Sequence, residues 1–580
     1  MRKSLKYTSL SLIAGMLSFT SCGDGFLDQI PDERVELSNV DDVVILLSSA
    51  YSTGNYGWLC ELSSDNIIDI NAPYLATQSN GNEVLVHYNL NSYERADDEA
   101  FRFEPVKSST DSDSPSSIWD GCYNAIATVN HALEMLDKIT ADHGGEMDAK
   151  TKAAYGEAYL SRAYHHFILV NVFSQAYKDE ELSKNDVGIP YITTPEDVVM
   201  VHYDRRNVTE TYKSIEEDLL KGLELINDMN YKKPKWHFNE AAAKAFAVRF
   251  YLYKRDYDKV IKYADELLGT EYGETLLNKL QSYANFDDCT TGTDYAEVWQ
   301  GPDNPNNLML IATHSIQFRR HVGHRYSCAG KALRDIEFHL GPNWRWYLMP
   351  AASVGGGTFW DGVQDHGFTS SKIIERFEYT DKVAGIGYAH LIRREFTNNE
   401  VLLSRAEARL LGKGDIDGCC QDLIAYEDSR QSFSESNKAF YTSGKALQPL
   451  TRDMIDSYYS PDARILASNC FADWNFTQNM SPNFVIPAEY VTYMNAVNDM
   501  RRYDLSYTGL RFFDLKRWGI EYSHFYSIDN IEYKLTSTDP RRAIEAPQEV
   551  LGAGLEPSQP AQVTRTPSYS RSTSSLLKTY

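Results

Sequence analysis

The stretch RFYLYKRDYDKVIKYADELL, residues 249–268, decides the fold. It reads as one helix, a turn containing Asp256-Tyr257-Asp258, and a second helix whose apolar residues recur at helical spacing. Residues 408–426 contain the matching turn Lys413-Gly414-Asp415-Ile416-Asp417 between two further helical runs. This spacing is typical of tetratricopeptide-type repeats, in which the second helix packs on its partner. Two ordinary helical hairpins would show the same pattern, so both interpretations stay open at this point.

Helical periodicity extends outward from this stretch. Residues 118–139 and 148–173 predict two long helices joined by a short acidic turn, which form a hairpin. Thr209 begins another helical run, and Asn239 is the predicted N-cap of the alanine-rich run 240–254. The sequence therefore predicts a mainly helical protein built from helix pairs.

Residues 271–395 separate the two repeat-like hairpins, and here glycine, proline and aromatic residues replace helical periodicity. Long irregular segments on a rigid scaffold often carry binding residues. Four of the nine tryptophans fall in this segment: Trp299, Trp344, Trp346 and Trp360. Aromatic side chains offer a large apolar contact area at low conformational cost, which suits the apolar face of a sugar ring. We therefore predict that this group contacts a ligand, and packing in a loop-rich core is the alternative for each residue.

The first residues of the chain predict export. Arg2, Lys3 and Lys6 precede an apolar run over residues 7–20, and small residues stand just before Cys22. A membrane-spanning helix needs about 20 apolar residues, so this run is too short to serve as one. The pattern predicts a signal peptide over residues 1–21 and a lipid anchor on Cys22. One acyl chain binds a membrane only marginally, so the anchor requires several.

Composition excludes some classes of function. The chain has 580 residues and a formal net charge of −24, and removal of residues 1–21, with three basic residues and no acidic one, makes it −27. Nucleic acid requires clustered basic side chains, so we expect no nucleic-acid partner. Seven cysteines remain after Cys22; they are scattered, and we interpret most of them as small buried apolar residues. One or two disulfides in an oxidising compartment are the alternative.

No catalytic motif for hydrolysis, phosphate binding or metal binding is present in the sequence. His314, His321 and His324 lie close together, but basic residues crowd the same stretch, so we predict solvent-facing histidines and no metal site. Asp361 and Asp365, next to Trp360, are the least arbitrary pair of carboxylates for a glycosidase. We expect no catalytic residue and no cofactor.

Several separated segments resemble one family of surface lipoproteins. They are Cys22 with Phe26-Leu27-Asp28 and Pro31, residues 156–173, Gly188-Ile189-Pro190, Leu403-Ser404-Arg405-Ala406-Glu407-Ala408, Arg511-Phe512-Phe513-Asp514-Leu515-Lys516-Arg517-Trp518-Gly519 and Pro547-Gln548-Glu549. In this order they resemble the SusD/RagB family, the nutrient-binding partners of TonB-dependent transporters. We interpret the segment 511–519 as architectural, a helix with Phe513 and Trp518 in the core and its basic residues facing solvent.

The resemblance implies four tetratricopeptide-like helix pairs that form a superhelical scaffold and carry a large irregular, loop-rich subdomain. It divides the chain into the signal peptide 1–21, an N-terminal SusD-like helical region 22–270, the aromatic-rich insertion 271–395 and a C-terminal SusD/RagB region 396–580. The family's ligand surface lies on variable loops, so no ligand residue transfers by motif. Trp58 and Tyr74 are added as candidates, because sites in this family often draw on both halves.

The implied function is capture of oligosaccharides at the outer-membrane surface. The protein would be held there by its lipid, and it would act as a lid for a SusC-like TonB-dependent transporter. A peptide-binding role, as in RagB-like lipoproteins, is the alternative within the family. A surface glycoside hydrolase and a purely structural surface protein are the alternatives of other classes.

Overall fold

The computed structural model describes residues 39–560, except for 78–82, 87, 92, 196–202, 322–323, 329–331, 333–335, 337–340, 344–369, 431–447, 462–478 and 482, and beyond residue 560 it describes only 569–570. Over these residues the chain is mainly helical. The α-helices in the described part are α1 (Val40–Leu47), α2 (Gly57–Leu62), α3 (Arg95–Phe101), α4 (Pro115–Asp142), α5 (Ala149–Phe173), α6 (Val208–Leu225), α7 (Glu240–Lys254), α8 (Tyr257–Leu268), α9 (Glu274–Leu277), α10 (Gly292–Gln300), α11 (Gln317–His321), α12 (Asn398–Lys413), α13 (Ile416–Arg430), α14 (Arg452–Tyr458), α15 (Val491–Asp504), α16 (Leu510–Trp518) and α17 (Gln548–Gly552).

The strands are short and antiparallel where they pair. They are β1 (Ile68–Asp69), β2 (Tyr74–Thr77), β3 (Glu83–Val86), β4 (Asn307–Thr313), β5 (Tyr326–Ser327), β6 (Arg376–Asp381), β7 (Ile386–Thr397), β8 (Asn479–Ser481), β9 (Phe484–Val485), β10 (Tyr522–Tyr526), β11 (Ile531–Leu535) and β12 (Tyr569–Ser570). Two sheets have three strands each, in the orders β4-β7-β6 and β10-β11-β12. The other pairs in the described residues are β1-β5, β2-β3 and β8-β9.

Helix pairs form the scaffold, as the sequence predicts. α4 packs on α5, α7 on α8, and α12 on α13, while α12 also packs on α8 and α15. The hairpin predicted over 118–139 and 148–173 is confirmed, because α4 and α5 cover both runs and extend the first at each end. Asn239 is the N-cap of α7, as predicted, and its side chain accepts a hydrogen bond from the backbone N–H of Ala242 at 2.8 Å. The mainly helical, tetratricopeptide-like fold is confirmed.

The cysteines behave largely as predicted. Among the described residues, Cys60, Cys122, Cys289, Cys328, Cys419 and Cys420 are free thiols, and all except the half-buried Cys289 are buried. Cys470 lies outside the described residues, as does nearly all of the C-terminal tail. No helix in the described part of the chain is long and apolar enough to cross a bilayer.

The segment 511–519 forms α16, and one expectation for it is wrong. Phe513 and Trp518 are in the core, as predicted, with 2% and 0% of their surface exposed. The basic residues do not face solvent, however, since Arg511, Lys516 and Arg517 are also buried. They are buried because carboxylates and carbonyls from distant parts of the chain surround the helix.

Arg511 pairs with Asp65, which lies just after α2. The guanidinium donates to both carboxylate oxygens, at 2.7 and 2.9 Å, and to the side-chain oxygen of Asn498 in α15 at 2.6 Å. The nearby arginines Arg502 and Arg511 hold the pKa of Asp65 at about 2, against the opposing effect of its burial. This contact joins the two ends of the described chain, because its partners are 446 residues apart.

The other end of α16 is held by a chain of charges. Asp514 accepts from Arg501 at 2.9 Å and from Arg517 at 2.7 Å, and Arg517 also donates to both oxygens of Glu407 in α12, at 2.5 and 2.7 Å. Truncation of one partner in such a buried pair typically costs about 3–5 kcal/mol, because a buried charge is left alone. The pairs therefore lock α16 against α12 and α15.

The start of α16 approaches α2 closely. Gly509 has a φ of +84°, and a Cβ there would lie 3.0 Å from the Cα of Gly57 and 3.1 Å from the Cβ of Cys60. Its N–H donates to the carboxylate of Glu61 at 3.0 Å. Only glycine combines this backbone conformation with this approach at no steric cost.

The buried pair between Arg511 and Asp65 predicts how much stability the protein loses when the pair is broken, and how that loss changes with pH. We expect Asp65→Asn to lower the free energy of unfolding at pH 7 by about 3–5 kcal/mol, because the Arg511 charge loses its partner. The folded pKa of Asp65 lies below its usual value near 3.8, so its contribution is full above that value and is lost as pH falls towards 2. Urea unfolding from pH 7 to pH 2 measures both effects.

In that experiment the difference between wild-type protein and Asp65→Asn shrinks as pH falls below about 4. The control is Glu181→Gln, which breaks the exposed pair of Glu181 with Lys184 and leaves stability unchanged. A constant difference between Asp65→Asn and wild type over the whole pH range would contradict the account.

Candidate functional site

Half of the residues predicted to bind ligand, and three residues with other predicted roles, lie outside the described residues. These are Trp344, Trp346 and Trp360, together with Asp361 and Asp365 and the lipid-attachment residue Cys22. Tyr74 begins β2, which pairs with β3, and its side chain is not described. Their roles stay predictions.

Trp58 and Trp299 are described, and both are in the core. Trp58 is 1% exposed; its indole N–H donates to Asp97 at 2.9 Å, and the ring of His321 lies 4.7 Å away, edge to face. Trp299 is 3% exposed, with the ring of Phe286 at 5.0 Å and the guanidinium of Arg394 at 4.8 Å from its centre. Neither indole has an open face for a sugar ring, so their surroundings indicate packing.

The histidines differ from the prediction that all three face solvent. His314 is exposed, but His321 is 1% exposed and His324 is half-buried. Burial lowers the pKa of His321 to about 3, so the ring is neutral. Among the described residues, no group of three or more His, Cys, Asp and Glu side chains could hold a metal ion.

An exposed aromatic hairpin, formed by β6 and β7, is the most unusual surface of the insertion. β6 is the edge strand of its sheet, and every residue after Arg376 in it is exposed. Phe377 and Tyr379 alternate along β6, so they lie on one face, with 48% and 51% of their surfaces exposed and ring centres 4.9 Å apart. The two rings meet nearly edge to face, at 72°, so they form an angled, exposed aromatic platform on which one ring face can stack against a ligand.

Glycine makes room for this platform. Gly387 on β7 pairs with Tyr379, and a Cβ there would meet the Phe377 ring at 2.7 Å and the carbonyl oxygen of Glu378 at 2.0 Å. The absence of a side chain thus lets the Phe377 ring lie close to the neighbouring strand. At the tip, Val383 is fully exposed and Ile386 is 60% exposed.

The other face of the hairpin is more polar. The Tyr388 hydroxyl donates to the carboxylate of Glu378 at 3.0 Å, and this hydrogen bond raises the pKa of Tyr388. The rings of His314 and His390 lie 5.2 and 6.0 Å from the Tyr388 ring. This face combines aromatic surface with hydroxyl, imidazole and carboxylate groups.

A cleft of about 820 Å³ lies beside the base of the hairpin. Its described lining contains the carboxylates of Glu274, Glu297, Asp303 and Asp428, the amides of Asn278, Asn285 and Asn304, and no aromatic, Lys or Arg side chain. Glu297 accepts a hydrogen bond from Arg376, the first residue of β6, at 2.7 Å. Burial raises the pKa of Asp428. The cleft offers many hydrogen-bond acceptors, and the hairpin offers stacking surface.

The sequence did not predict the hairpin, because residues 271–395 lack helical periodicity and are interpreted as irregular. The segment contains α9, α10, α11, the strands β4, β5 and β6 and most of β7, and the signal was the alternation of Phe377, Glu378 and Tyr379 with period two. Such a run of six residues is short beside helical periodicity. Neither the hairpin nor the cleft presents a motif for covalent chemistry.

Comparison with known proteins supports the fold. Residues 25–252 match the SusD-like family model described as "Starch-binding associating with outer membrane". Solved SusD superfamily proteins from Bacteroides thetaiotaomicron, Bacteroides fragilis and Bacteroides vulgatus share 14%, 14% and 16% identity, with TM-scores of 0.54, 0.53 and 0.50. These alignments cover 90%, 89% and 90% of this chain and 100%, 97% and 98% of those chains. No curated protein sequence matches.

The burial of Trp299 predicts that its substitution by a smaller residue destabilises the protein. We expect Trp299→Ala to lower the free energy of unfolding by about 3–5 kcal/mol, because it leaves a cavity among Phe286, Arg394 and their neighbours. Trp299→Phe keeps most of the volume and serves as the matched control, with a smaller loss. Chemical denaturation measures both, and unchanged stability in Trp299→Ala would contradict the core assignment.

Residues 25–252 thus match the SusD-like family model, and the described chain shares the fold of solved SusD superfamily proteins.

Proposed function

We propose that the protein is a non-catalytic surface lipoprotein that binds oligosaccharides and delivers them to a SusC-like, TonB-dependent outer-membrane transporter. The observation that carries the proposal is the exposed aromatic hairpin on a SusD-like scaffold. Exposed apolar side chains that gather on a single hairpin are typical of a contact surface, since scattered ones need no explanation. The description of the matching family as starch-binding supports a carbohydrate ligand.

The physical basis of binding is stacking supplemented by hydrogen bonds. The apolar face of a sugar ring would stack on one of the two exposed rings, Phe377 or Tyr379, and contact the edge of the other. The hydroxyl groups of the sugar would find acceptors among the carboxylates and amides of the cleft beside the base of the hairpin. No bond is made or broken, so the energy for uptake must come from the transporter.

The cleft favours a second candidate, a peptide ligand. Its described lining has carboxylates and amides and no aromatic side chain, which suits the backbone and basic side chains of a peptide more than stacked sugar rings. The two candidates therefore place their ligands on neighbouring surfaces, the hairpin and the cleft. A ligand panel distinguishes them.

The central experiment measures affinity on a panel of oligosaccharides and short peptides. We expect oligosaccharide binding by wild-type protein and a loss of about tenfold or more in Phe377→Ala and Tyr379→Ala, because each removes one ring from the platform. The matched controls Phe377→Tyr and Tyr379→Phe keep a ring and retain most of the affinity. Trp344→Ala, Trp346→Ala and Trp360→Ala test the predicted tryptophans in the same assay.

The outcomes separate the alternatives. Peptide binding that is unaffected by the hairpin variants would replace the proposal by the peptide candidate. Release of cleaved sugar, abolished by substitution of Asp361 or Asp365, would make the protein a hydrolase. Binding of neither class of ligand would leave a structural protein.

The lipid anchor has its own test. We expect Cys22→Ser to move the protein from the membrane fraction to the soluble fraction, because no acyl chain can then be attached. Fractionation of cells that express wild-type protein or the variant, with immunodetection, measures this. Substitution of the nearby Ser21 by Ala keeps the cysteine and serves as the control. Membrane association of Cys22→Ser equal to wild type would contradict a lipid anchor at this residue.

A further inference from the structure

A second cavity, of about 500 Å³, lies where the C-terminal ends of three helices approach one another. Lys178 follows α5, Arg255 caps α7, and Lys516 and Arg517 belong to the last turn of α16; all four line the cavity. None of its described lining residues belongs to the aromatic hairpin or to the acidic cleft.

Two cations that line this cavity differ from the buried arginines of the scaffold in the groups to which they donate hydrogen bonds. Lys516 is 6% exposed, and its ammonium group donates to the carbonyl oxygens of Asn171 at 2.6 Å and Ser174 at 2.7 Å. Arg255 is half-buried, and its guanidinium donates to the carbonyl oxygens of Asn483 and, at 3.0 Å, of Arg517. Both cations are thus bonded to uncharged oxygen atoms, unlike the arginines of α16, which pair with carboxylates.

Two further cations lie behind the cavity, and they too donate hydrogen bonds to uncharged oxygen atoms. Arg205 donates to the carbonyl oxygens of Phe173 at 3.0 Å and Glu556 at 2.9 Å, and to the Ser558 hydroxyl at 3.0 Å. Arg542 is 1% exposed and donates to carbonyl oxygens, including that of Leu515 at 2.8 Å. Within the described residues, no carboxylate forms an ion pair with any of these four cations.

Helix dipoles offset only part of this charge. Lys516 and Arg205 each donate to a carbonyl at the end of α5, and Arg255 and Arg542 each donate to a carbonyl at the end of α16. The C-terminal end of a helix carries about half a negative charge, and carboxylates that form no ion pair with these cations, such as Glu407 for Arg255 and Glu545 for Arg205, also attract them. Burial lowers the pKa of Lys516 to about 7 and that of Arg205 to about 10, as expected for cations without a full counter-charge.

The remaining lining is polar and rich in hydrogen-bonding groups. Ser481, Ser537 and Ser558 contribute hydroxyls, and the side-chain oxygen of Gln559 is buried with no hydrogen-bond donor. Two carboxylates also line the cavity: Asp186 lies 2.8 Å from the Lys178 ammonium, and Glu556 is exposed. The cavity is large enough for a single sugar ring with its substituents.

We infer that this cavity binds an oxyanion, and that its hydroxyl and amide lining suits a small acid that also carries hydroxyl groups, such as a uronic acid. The carboxylate would take the place opposite Arg255 and Lys516, where the ammonium has a third N–H beyond the two that its carbonyl partners accept. The hydroxyls of the ligand would donate to Gln559. This site is independent of oligosaccharide binding at the hairpin.

Isothermal titration of the purified protein with glucuronate, glucose and inorganic phosphate tests the inference. We expect glucuronate to bind at least tenfold more tightly than glucose, because only the acid meets the cations. Phosphate is expected to compete with glucuronate for one site. Whichever of the two binds more tightly identifies the natural chemistry as that of a sugar acid or a free inorganic ion, and either result supports an oxyanion site.

The variant Arg255→Asn removes one cation from the wall. Arg255 has a φ of +64°, a conformation that asparagine tolerates better than most residues, so the turn is kept. We expect a loss of at least tenfold in glucuronate affinity. Lys184→Asn makes the same change of charge at an exposed residue outside the cavity and leaves affinity unchanged.

Circular dichroism establishes whether each variant is folded, and Lys178→Met replaces Arg255→Asn if the latter is not. Two results would overturn the inference: no binding of glucuronate or phosphate by wild-type protein, or binding that is equal in wild type and in the folded cavity variant. Equal affinities for glucuronate and glucose, with no competition by phosphate, would also contradict the inference, because binding would then not depend on the charge of the ligand.

Discussion

The buried contact between Arg511 and Asp65 is the constraint on which the arrangement of the two halves depends. Its forked geometry uses both oxygens of the carboxylate, which lysine cannot reproduce. Around it, Arg502 donates to Asn66, and Gly509 donates to Glu61, so the short segment after α2 is fixed to α15 and α16 at several points. Because a buried charge without a partner is costly, arrangements that separate these segments are strongly disfavoured.

Buried pairs between an arginine and a carboxylate recur along the scaffold, and one of them lies at the base of the candidate site. Arg249 of α7 donates to Glu395 and Glu400, both at 2.6 Å, and Glu395 lies in β7, the strand that continues outward into the aromatic hairpin. Arg405 of α12 pairs with Asp422 of α13 at 2.7 Å. The hairpin is therefore fixed at its base by buried ion pairs while Phe377 and Tyr379 stay exposed. A rigid base lets two rings be held in place before a ligand arrives, which reduces the entropy lost on binding.

Local patterns were predictable from sequence, and long-range partners were not. α5 follows its periodicity over 148–173, and Asn239 caps α7, because both signals lie within a few residues. The burial of Arg511 was missed because its partner Asp65 is far away in the chain. Trp299 stands in a glycine-rich segment and is nevertheless packed, since its neighbours are set by the fold. The exposed rings of β6 follow a short alternation within a segment that lacks helical periodicity.

The two proposed sites depart in different ways from the ion pairing and packing around α7, α12 and α16. The scaffold pairs its buried arginines in α7, α12 and α16 with carboxylates, yet Lys516 and Arg255 donate hydrogen bonds to carbonyls and lie over aromatic rings. It also buries large aromatic rings, yet Phe377 and Tyr379 are exposed together. Departures from consistent packing and pairing are expected at functional sites. Since one departure leaves unpaired positive charge and the other leaves bare apolar surface, the two sites select chemically different ligands. The hairpin and the cavity share no residue, so a ligand of one site does not need the other in order to bind.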